Sequence, residues 1–361
     1  LVVEGDPLAK TIAGAEALET KGVIFRKHIA INGIDRDAKT VHLADGSSLP
    51  YEKLLLATGA VPRRLALHAA DSKRVAYLRT FDDALAIRAA LRPGSRLAVI
   101  GGGFIGLELA ASARKRGATV TVIEALPRIL SRAVPEDHAK VIAARHLAEG
   151  VDLRCGVGVT AIRETAAAVE IALADGSTVA ADLLVIGIGA VPVTALAEAA
   201  GLAIENGIAV DETLQTSDPD VFAAGDCCSF PLAIYGGRRA RRESWRNAQD
   251  QGNLAARNML GAHEAISAVP WFWTDQYDLV FQVAGLPDAG SDTVRRDLGD
   301  GAFILFHVEP AGRLMAASGI GKGNVVARDI RLAEMLIARR AVPAQTALAD
   351  PQFKLKSLLA A

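Results

Sequence analysis

The feature that most constrains this chain is a glycine turn between a short apolar strand and a helix. Residues Leu97–Ile100 predict a buried strand, and Gly101-x-Gly103-x-x-Gly106 then leads into a helix through Arg116. The first glycine permits a tight turn, the second lets a pyrophosphate approach backbone N–H groups, and the third lets helix and strand pack closely. This pattern predicts an anion at the start of the helix, next to Phe104 and Ile105.

A second strand and a terminal acid complete the unit. Thr119–Ile123 predicts that strand, and Glu124 follows it, eighteen residues after Gly106, where a carboxylate can accept hydrogen bonds from a ribose diol. An ordinary glycine-rich turn would not require the acid, so we predict a dinucleotide site. The carboxylate would repel the 2′-phosphate of NADPH and so favours NADH, although Arg128 and Arg132 nearby weaken that preference.

A longer pattern occurs twice, about 130 residues apart: Val41–Ser47 leads to Leu54–Pro62, and Ile171–Ser177 leads to Leu184–Pro192. In each copy an Asp-Gly turn closes a hairpin, and an apolar strand then ends in a small-residue turn where backbone can approach a ligand. The repeat predicts binding residues at both turns, namely Ala57, Thr58, Gly59, Gly187, Ile188 and Gly189.

The start of the chain has a counterpart too. Leu1–Pro7 matches Thr121–Pro127 at an offset of 120 residues, which makes Glu4 a second candidate ribose acid. The same offset places a partner of the glycine turn before residue 1, so we expect a first strand, loop and helix to be missing. Two nucleotide-binding units imply two dinucleotides, an FAD-type cofactor and NAD(H). The alternative is two doubly wound domains that share their hairpins by coincidence.

The second half of the chain supplies further elements. Val221–Asp226 predicts an apolar strand ending in Gly225 and Asp226, followed by a helix over Ser244–Leu260. Asp226 is placed either to bind a ligand's hydroxyls or to cap a helix. From Ala268 the pattern predicts an antiparallel sheet and a helix, entered by an aromatic loop at Pro270–Tyr277. That loop is either a hydrophobic plug between domains or a cover for the flavin ring. The predicted strands and helix are Phe281–Gly285, Ala302–Val308, Arg313–Ser318 and Asp329–Ala341.

Together these elements predict an α/β fold with two doubly wound nucleotide-binding domains and an α+β C-terminal domain. A chain of 361 residues is too long for one typical core. We expect a discontinuous FAD-binding domain at 1–80 with 206–265, lacking its first βα unit, an NAD-binding domain at 81–205, and a C-terminal domain at 266–361.

Composition excludes several classes of protein. A net charge of −1 argues against nucleic acid as a partner, and no apolar run predicts a membrane span. The three cysteines form no C-x-x-C and fit a reducing cytoplasm, and the seven histidines never occur at metal-ligand spacing, so we predict no metal.

These motifs resemble the FAD-dependent, NADH-using ferredoxin reductases of aromatic-ring dioxygenase and cytochrome P450 systems, the putidaredoxin-reductase-like family of glutathione-reductase architecture. The resemblance runs from about Lys27 nearly to the end of the chain. Its most specific segments are Arg242–Ala248 and Pro270–Gln276. Others are Leu56–Arg63, Leu78–Thr80, Ile100–Glu108, Gly187–Pro192, Thr216–Pro219 and Ala224–Asp226.

The resemblance implies FAD contacts from Thr58, Gly59, Arg63, Asp226, Glu243, Ser244 and Trp245, with Trp273 close to the flavin or nicotinamide. In the family a lysine beside the flavin pairs with a glutamate. Here the match is Lys10 with Glu108, although Lys10 stands in an eroded copy of the family's motif and Thr11–Gly22 is shortened.

The implied reaction passes a hydride from NADH to flavin N5 and then two single electrons to a 2Fe–2S ferredoxin, because a flavin that accepts two electrons can release them one at a time. A homodimer is compatible with this function. Five arginines form a basic cluster that is either a docking patch for an acidic ferredoxin or a helix start with intramolecular pairs. They are Arg238, Arg239, Arg241, Arg242 and Arg246.

Two other functions stay open. An NADH oxidase or flavin disulfide reductase needs a redox-active cysteine near the flavin, and Cys155, Cys227 and Cys228 are not placed for that role. A non-enzymatic flavoprotein resembling apoptosis-inducing factor would instead change its oligomeric state when NADH binds.

Overall fold

The structure is a computed structural model that describes residues 12–67, 72–132 and 134–360. Over these ranges no helix combines the length and the apolar character needed to cross a bilayer. The α-helices are α1 Ala15–Thr20, α2 Phe81–Ala90, α3 Phe104–Lys115, α4 Glu136–Ala148, α5 Ala195–Ala199, α6 Trp245–Met259, α7 Ala327–Ala338 and α8 Gln345–Ala349.

The strands fall in three successive stretches of the chain. The first contains β1 Ile31–Asp35, β2 Thr40–Leu43, β3 Ser48–Pro50, β4 Leu54–Leu56, β5 Ala60–Pro62, β6 Val75–Ala76, β7 Arg96–Ile100, β8 Thr119–Glu124 and β9 Asp152–Cys155. The second contains β10 Val159–Glu164, β11 Val169–Leu173, β12 Thr178–Ala181, β13 Leu183–Ile186, β14 Ala190–Pro192, β15 Ile208–Ala209, β16 Val221–Ala223, β17 Cys228–Leu232 and β18 Arg238–Ala240. The third contains β19 Trp271–Gln276, β20 Leu279–Gly285, β21 Asp292–Gly299, β22 Ala302–Val308 and β23 Leu314–Lys322.

The chain divides into two compact units. Within the described ranges, one unit comprises residues 62–190 with 268–361, and the other comprises residues up to 61 with 191–267.

The first unit is built on a parallel sheet in the order β6-β13-β7-β8-β9. The apolar run Leu97–Ile100 is buried throughout, as expected for a central strand covered on both faces. Ile100 is in register with Ile123 on one side and Ile186 on the other. The carboxyl ends of β7, β8 and β13 therefore meet at one edge of the sheet, where α/β folds bind ligands.

The repeated Asp-Gly hairpins form as predicted, one in each unit. Asp175 accepts hydrogen bonds from the backbone N–H of Ser177, at 2.9 Å, and from its hydroxyl, at 2.7 Å, between β11 and β12. Asp45 holds Ser47 in the same way between β2 and β3. The aspartate thus fixes each turn through a local side-chain bond.

The first unit also contains a five-stranded antiparallel sheet in the order β19-β20-β23-β22-β21, with α7 packed on it. The predicted sheet is confirmed. The predicted aromatic loop is wrong, because Trp271–Gln276 forms the edge strand β19, paired with β20 along its length. The helix predicted to reach Ala341 ends at Ala338.

In the second unit, β4 and β16 pair in parallel, with Leu56 opposite Ala223. The predicted helix over Ser244–Leu260 is confirmed as α6, but the chain does not run straight from Asp226 into it. A 3-10 turn over Gly225–Cys227 leads instead into β17 and β18, and only then does α6 begin. The expected helix start at Ser244 is confirmed as a cap, because the Ser244 hydroxyl accepts a bond from the backbone N–H of Asn247.

Candidate functional site

The glycine turn sits where β7 gives way to α3, and each of its glycines has a separate structural reason. Gly101 has φ of +111°, and a Cβ there would lie 2.3 Å from the carbonyl oxygen of Gly187. A Cβ on Gly106 would lie 2.2 Å from the carbonyl oxygen of Gly101. Around such a Cβ on Gly103, no atom of the described residues lies within 4 Å, its own chain neighbours aside. Gly101 and Gly106 are therefore required for the turn to fold, and Gly103 leaves space for a ligand.

A cavity of about 470 Å³ opens in front of this turn. Helix α3 starts at Phe104 with no side-chain cap at Gly103, so its first N–H groups are available to an anion. The cavity is lined by residues predicted from the sequence, including Gly101, Gly103, Phe104, Glu124, Arg132, Gly187, Ile188 and Gly189. The predicted residues Ile105 and Gly106 are not among the lining residues, since Ile105 is exposed on α3 and Gly106 packs beneath the turn.

Glu124 is held rigidly at the end of β8. Its carboxylate accepts the backbone N–H of Gly102 at 2.7 Å and that of Leu126 at 2.8 Å. Each carboxylate oxygen has a second lone pair, which is free to accept a hydroxyl. Arg128 instead donates to the backbone carbonyls of Ile129, Ser131 and Val134. The expected softening of nucleotide preference by Arg128 is therefore not supported, because its guanidinium is engaged with backbone.

The second candidate site lies at the carboxyl ends of β4 and β16. Because the two strands are parallel neighbours, Ala57–Gly59 and Gly225–Asp226 follow them at the same edge of the sheet. Thr58 donates its hydroxyl to the carbonyl of Val193 at 2.6 Å, and the N–H of Gly225 donates to the side-chain oxygen of Gln251 at 2.7 Å. These are small, backbone-rich turns of the kind that admit a dinucleotide.

The remaining predicted contacts are spread more widely. Trp245 is 62% exposed at the start of α6. Glu243 pairs with Arg241, and in the first unit the N–H of Arg63 donates to the carbonyl of Gly189 at 2.9 Å. Glu4 and Lys10 lie outside the described residues.

The arginine cluster is engaged within its own unit. Arg239 pairs with Glu205 at 2.8 Å, Arg241 pairs with Glu243, and Arg246 lies 3.6 Å from Asp250. Arg238 and Arg242 also interact with other groups. These interactions favour intramolecular pairing, but the predicted helix start holds only for Arg246 on α6, since Arg238 and Arg239 belong to β18.

Of the three residues predicted to be catalytic, Lys10 lies outside the described residues, and Glu108 and Trp273 belong to neighbouring elements of the first unit. The hydroxyl of Thr274 donates to Glu108 at 2.5 Å, and Phe104 packs on Phe272 with ring centroids 4.4 Å apart. Trp273 stacks on Trp271 and is 36% exposed. Burial raises the pKa of Glu108, and Asp275 adds to that rise, while the Thr274 hydrogen bond opposes it.

Sequence reasoning missed Thr274, Gln276 and His146, which extend from Glu108 into the interior. Thr274 and Gln276 are two residues apart, so recognising β19 as a strand would have placed them on one face. Nothing local in the sequence signals His146.

The cysteines offer little to thiol chemistry. Cys227 and Cys228 are fully buried, and burial raises the pKa of the Cys228 thiol. Cys155 is exposed at the surface. The protein atoms packed around it, together with the charge of Glu124, still raise the pKa of its thiol. Since the thiolate is the reactive form, these environments disfavour a redox-active cysteine.

Comparison with known proteins agrees with this geometry. Residues 4–252 match the family model described as pyridine nucleotide-disulphide oxidoreductase, and residues 271–359 match the one described as reductase C-terminal. The chain is 43% identical to the ferredoxin–NAD(+) reductase component of the anthranilate 1,2-dioxygenase system of Burkholderia cepacia, over 94% of this chain and 83% of that protein.

Two solved structures are also similar. The ferredoxin reductase for the CYP199A2 system of Rhodopseudomonas palustris has a TM-score of 0.90 and 33% identity, covering 98% of this chain and 86% of that one. Putidaredoxin reductase, in its covalent complex with putidaredoxin, has a TM-score of 0.89 and 32% identity, covering 97% and 84%.

Proposed function

We infer the function of this chain from one premise: it belongs to the pyridine nucleotide-disulphide oxidoreductase family, in the branch whose members carry a reductase C-terminal domain. It is an FAD-dependent NADH:ferredoxin oxidoreductase that passes electrons from NADH to the 2Fe–2S ferredoxin of an oxygenase system. The predicted fold class, cofactors and ferredoxin partner are confirmed with it.

One observation carries this function. In the first unit, the helix that begins at the glycine-lined cavity packs directly on edge strand β19 of the reductase C-terminal sheet. Phe104 lines the cavity and contacts Phe272, and Glu108, one turn further along α3, is bonded to Thr274. The reductase C-terminal domain thus packs on the helix that begins at the cavity, which supports a place for this chain among the ferredoxin reductases.

We propose roles for the individual residues. Gly101, Gly103 and the first turn of α3 hold the pyrophosphate of NADH, and Glu124 binds its ribose hydroxyls. Bound FAD supplies the conversion from a two-electron donor to a one-electron acceptor. Glu108 and Trp273 shape and shield the region around the reacting rings. The residues proposed to hold FAD are Ala57, Thr58, Gly59, Arg63, Gly225, Asp226, Glu243, Ser244 and Trp245.

We further propose that 1–80 with 206–265 forms the FAD domain, 81–205 the NAD domain and 266–361 the C-terminal domain. The pairing of β4 with β16, which joins residues far apart in sequence, supports a discontinuous FAD domain. A cytoplasmic location is proposed on the strength of three free cysteines. The homodimer stays a prediction.

Flavin reduction tests this function directly. Adding NADH without oxygen to the flavin-loaded protein should bleach its yellow colour, because a hydride passes from the nicotinamide to the flavin. Added ferredoxin should then be required for rapid cytochrome c reduction, measured by absorbance. Persistent yellow colour would exclude an oxidoreductase, and fast reduction without ferredoxin would contradict the assigned partner.

Replacing Glu124 tests the nucleotide preference. In Glu124→Ser, the carboxylate that would repel a 2′-phosphate is gone, and we expect the NADPH-to-NADH ratio of kcat/KM to rise about tenfold. The loss of two backbone hydrogen bonds should also weaken NADH binding. Glu136→Ser is the matched control, because that exposed acid lies on α4 and is not among the cavity's lining residues. An unchanged NADPH-to-NADH ratio in Glu124→Ser would show that Glu124 does not bind the ribose.

A further inference from the structure

A continuous chain of hydrogen bonds runs inward from Glu108 through three elements of the first unit. The Thr274 hydroxyl lies 2.5 Å from the Glu108 carboxylate, and the Gln276 amide nitrogen lies 3.2 Å from the Thr274 oxygen. The Gln276 oxygen lies 2.8 Å from Nε2 of His146, and the Tyr277 hydroxyl lies 3.2 Å from Nδ1 of the same ring. His146, Gln276 and Thr274 are each at most 2% exposed.

With the Gln276 amide oriented as in the structure, the chemistry of each group sets one direction for these hydrogen bonds. The oxygen of Gln276 can only accept, so His146 must donate from Nε2, and in a neutral ring Nδ1 then accepts from Tyr277. The amide nitrogen of Gln276 can only donate, so the Thr274 oxygen accepts from it and the Thr274 hydroxyl donates a hydrogen bond to Glu108. Every donor therefore points toward the carboxylate, the arrangement that suits an ionised Glu108.

A protonated Glu108 suits the opposite arrangement. Its carboxyl would donate to Thr274, and Thr274 would then donate to Gln276 only if that amide turned over. His146 would in turn have to carry its proton on Nδ1 and donate to Tyr277. The chain has two self-consistent directions, and the charge of Glu108 decides between them.

We propose that Thr274, Gln276 and His146 are positioning residues that orient and stabilise the Glu108 carboxylate one helical turn from the cavity. The tautomer of His146 then changes with the charge of Glu108. The proposal rests on the proposed function only in assigning a nicotinamide to that cavity. The amide in the middle does not relay protons, so the chain transmits orientation and charge stabilisation. Glu108 would then keep one fixed geometry through repeated turnovers.

Other charged groups surround the two ends of the hydrogen-bond chain, at Glu108 and at His146 with Tyr277. Asp275 of β19 acts on Glu108 and favours its protonated form. Burial lowers the pKa of His146, with Arg145 contributing and Gln276 and Glu149 opposing, which favours the neutral ring that the chain needs. The groups around Tyr277 and the neighbouring Asp278 are Arg114, Arg145, Glu149 and Lys322.

The test measures the titration of Glu108 in the flavin-loaded protein by infrared difference spectroscopy. The Glu108 band is the one that is missing in Glu108→Gln. Thr274→Val removes the hydroxyl donor at nearly constant volume, and we expect it to raise the Glu108 pKa by about one unit, a tenfold shift in the protonation equilibrium. Thr274→Ser keeps the hydroxyl and should titrate like the wild type. Tyr277→Phe removes the remote donor and should give a smaller rise.

A second readout follows the imidazole itself. In long-range proton–nitrogen spectra of histidine-labelled protein, with His146→Gln used for assignment, His146 should change from the Nε2–H to the Nδ1–H tautomer as Glu108 becomes protonated. Equal Glu108 pKa values in the wild type, Thr274→Val and Tyr277→Phe would overturn the proposal. So would a His146 tautomer that stays the same when Glu108 becomes protonated. Both readouts are independent of turnover, so a protein that NADH fails to reduce would count against the proposed function alone.

Discussion

Replacing Gly106 with alanine is expected to weaken NADH binding about a hundredfold or more, because the added methyl group cannot fit without moving the turn. Its Cβ would lie 2.2 Å from the carbonyl oxygen of Gly101 and 3.1 Å from a methyl of Val99. Both contacts are with packed atoms that cannot rotate away, so β7 and α3 must separate and the N–H groups at the start of α3 shift from the pyrophosphate. Misplacing groups by about 1 Å can slow an enzyme reaction by a factor of about one hundred, and we expect a loss of similar size in binding here.

Gly103→Ala separates this steric effect from a general loss of fold. Among the described residues, no atom beyond Gly103 and its chain neighbours lies within 4 Å of a Cβ built there, and its φ of −85° suits any residue. The unfolding temperature of Gly103→Ala should equal that of the wild type. Any loss of NADH affinity in this variant then comes from contact between the added methyl group and the ligand. Gly106→Ala should also lose about 1 to 3 kcal/mol of stability, as overpacking does in a core. NADH titration by calorimetry and thermal unfolding measure the two effects. Wild-type affinity in Gly106→Ala would show that the turn does not hold the dinucleotide.

The local parts of the site were predictable because their causes are local. Gly101, Gly106 and Glu124 take their roles from the turn and strand in which they stand, and the spacing between them is visible in the sequence. The Asp-Gly hairpins were predictable for the same reason, since Asp45 and Asp175 each bond to a serine two residues later.

What was missed depends on contacts between distant parts of the chain. Thr274 reaches Glu108 across 166 residues, and His146 reaches Gln276 across 130, and no periodicity encodes such pairs. Strand β17, which the sequence reasoning did not predict, contains Pro231 and pairs with β15 and β18 as one of three short strands. The end of α7 was misjudged because Arg340, with φ of +53°, takes the left-handed position that glycine usually signals.

The second large effect is expected at His138, where acid should destabilise the wild type far more than His138→Leu. His138 is fully buried on α4, stacked on Phe303 at 4.6 Å and edge-on to Phe281 at 5.3 Å. Burial, with smaller contributions from the charges of His307 and Arg295 and against a backbone hydrogen bond with Ser318, lowers the pKa of His138 from 6.5 to about 3. As the pH falls, His138 is therefore protonated in the unfolded chain before it is protonated in the folded protein. The stability that comes from its lowered pKa is fully present above about pH 6.5 and is lost progressively toward pH 3.

Between pH 7 and pH 4 this single site should cost the wild type about 3 kcal/mol that His138→Leu does not lose. The free energy of unfolding, from urea titrations followed by tryptophan fluorescence, measures the difference, since Trp271 and Trp273 stand in the sheet that His138 packs against. His307, whose pKa burial lowers to about 4, remains in both proteins and contributes equally to each. His42→Leu is the matched control, because that side chain is exposed in the folded protein. Parallel losses of stability in the wild type and His138→Leu would mean that His138 takes up its proton without unfolding, and that the packing of α4 on the sheet tolerates a buried charge.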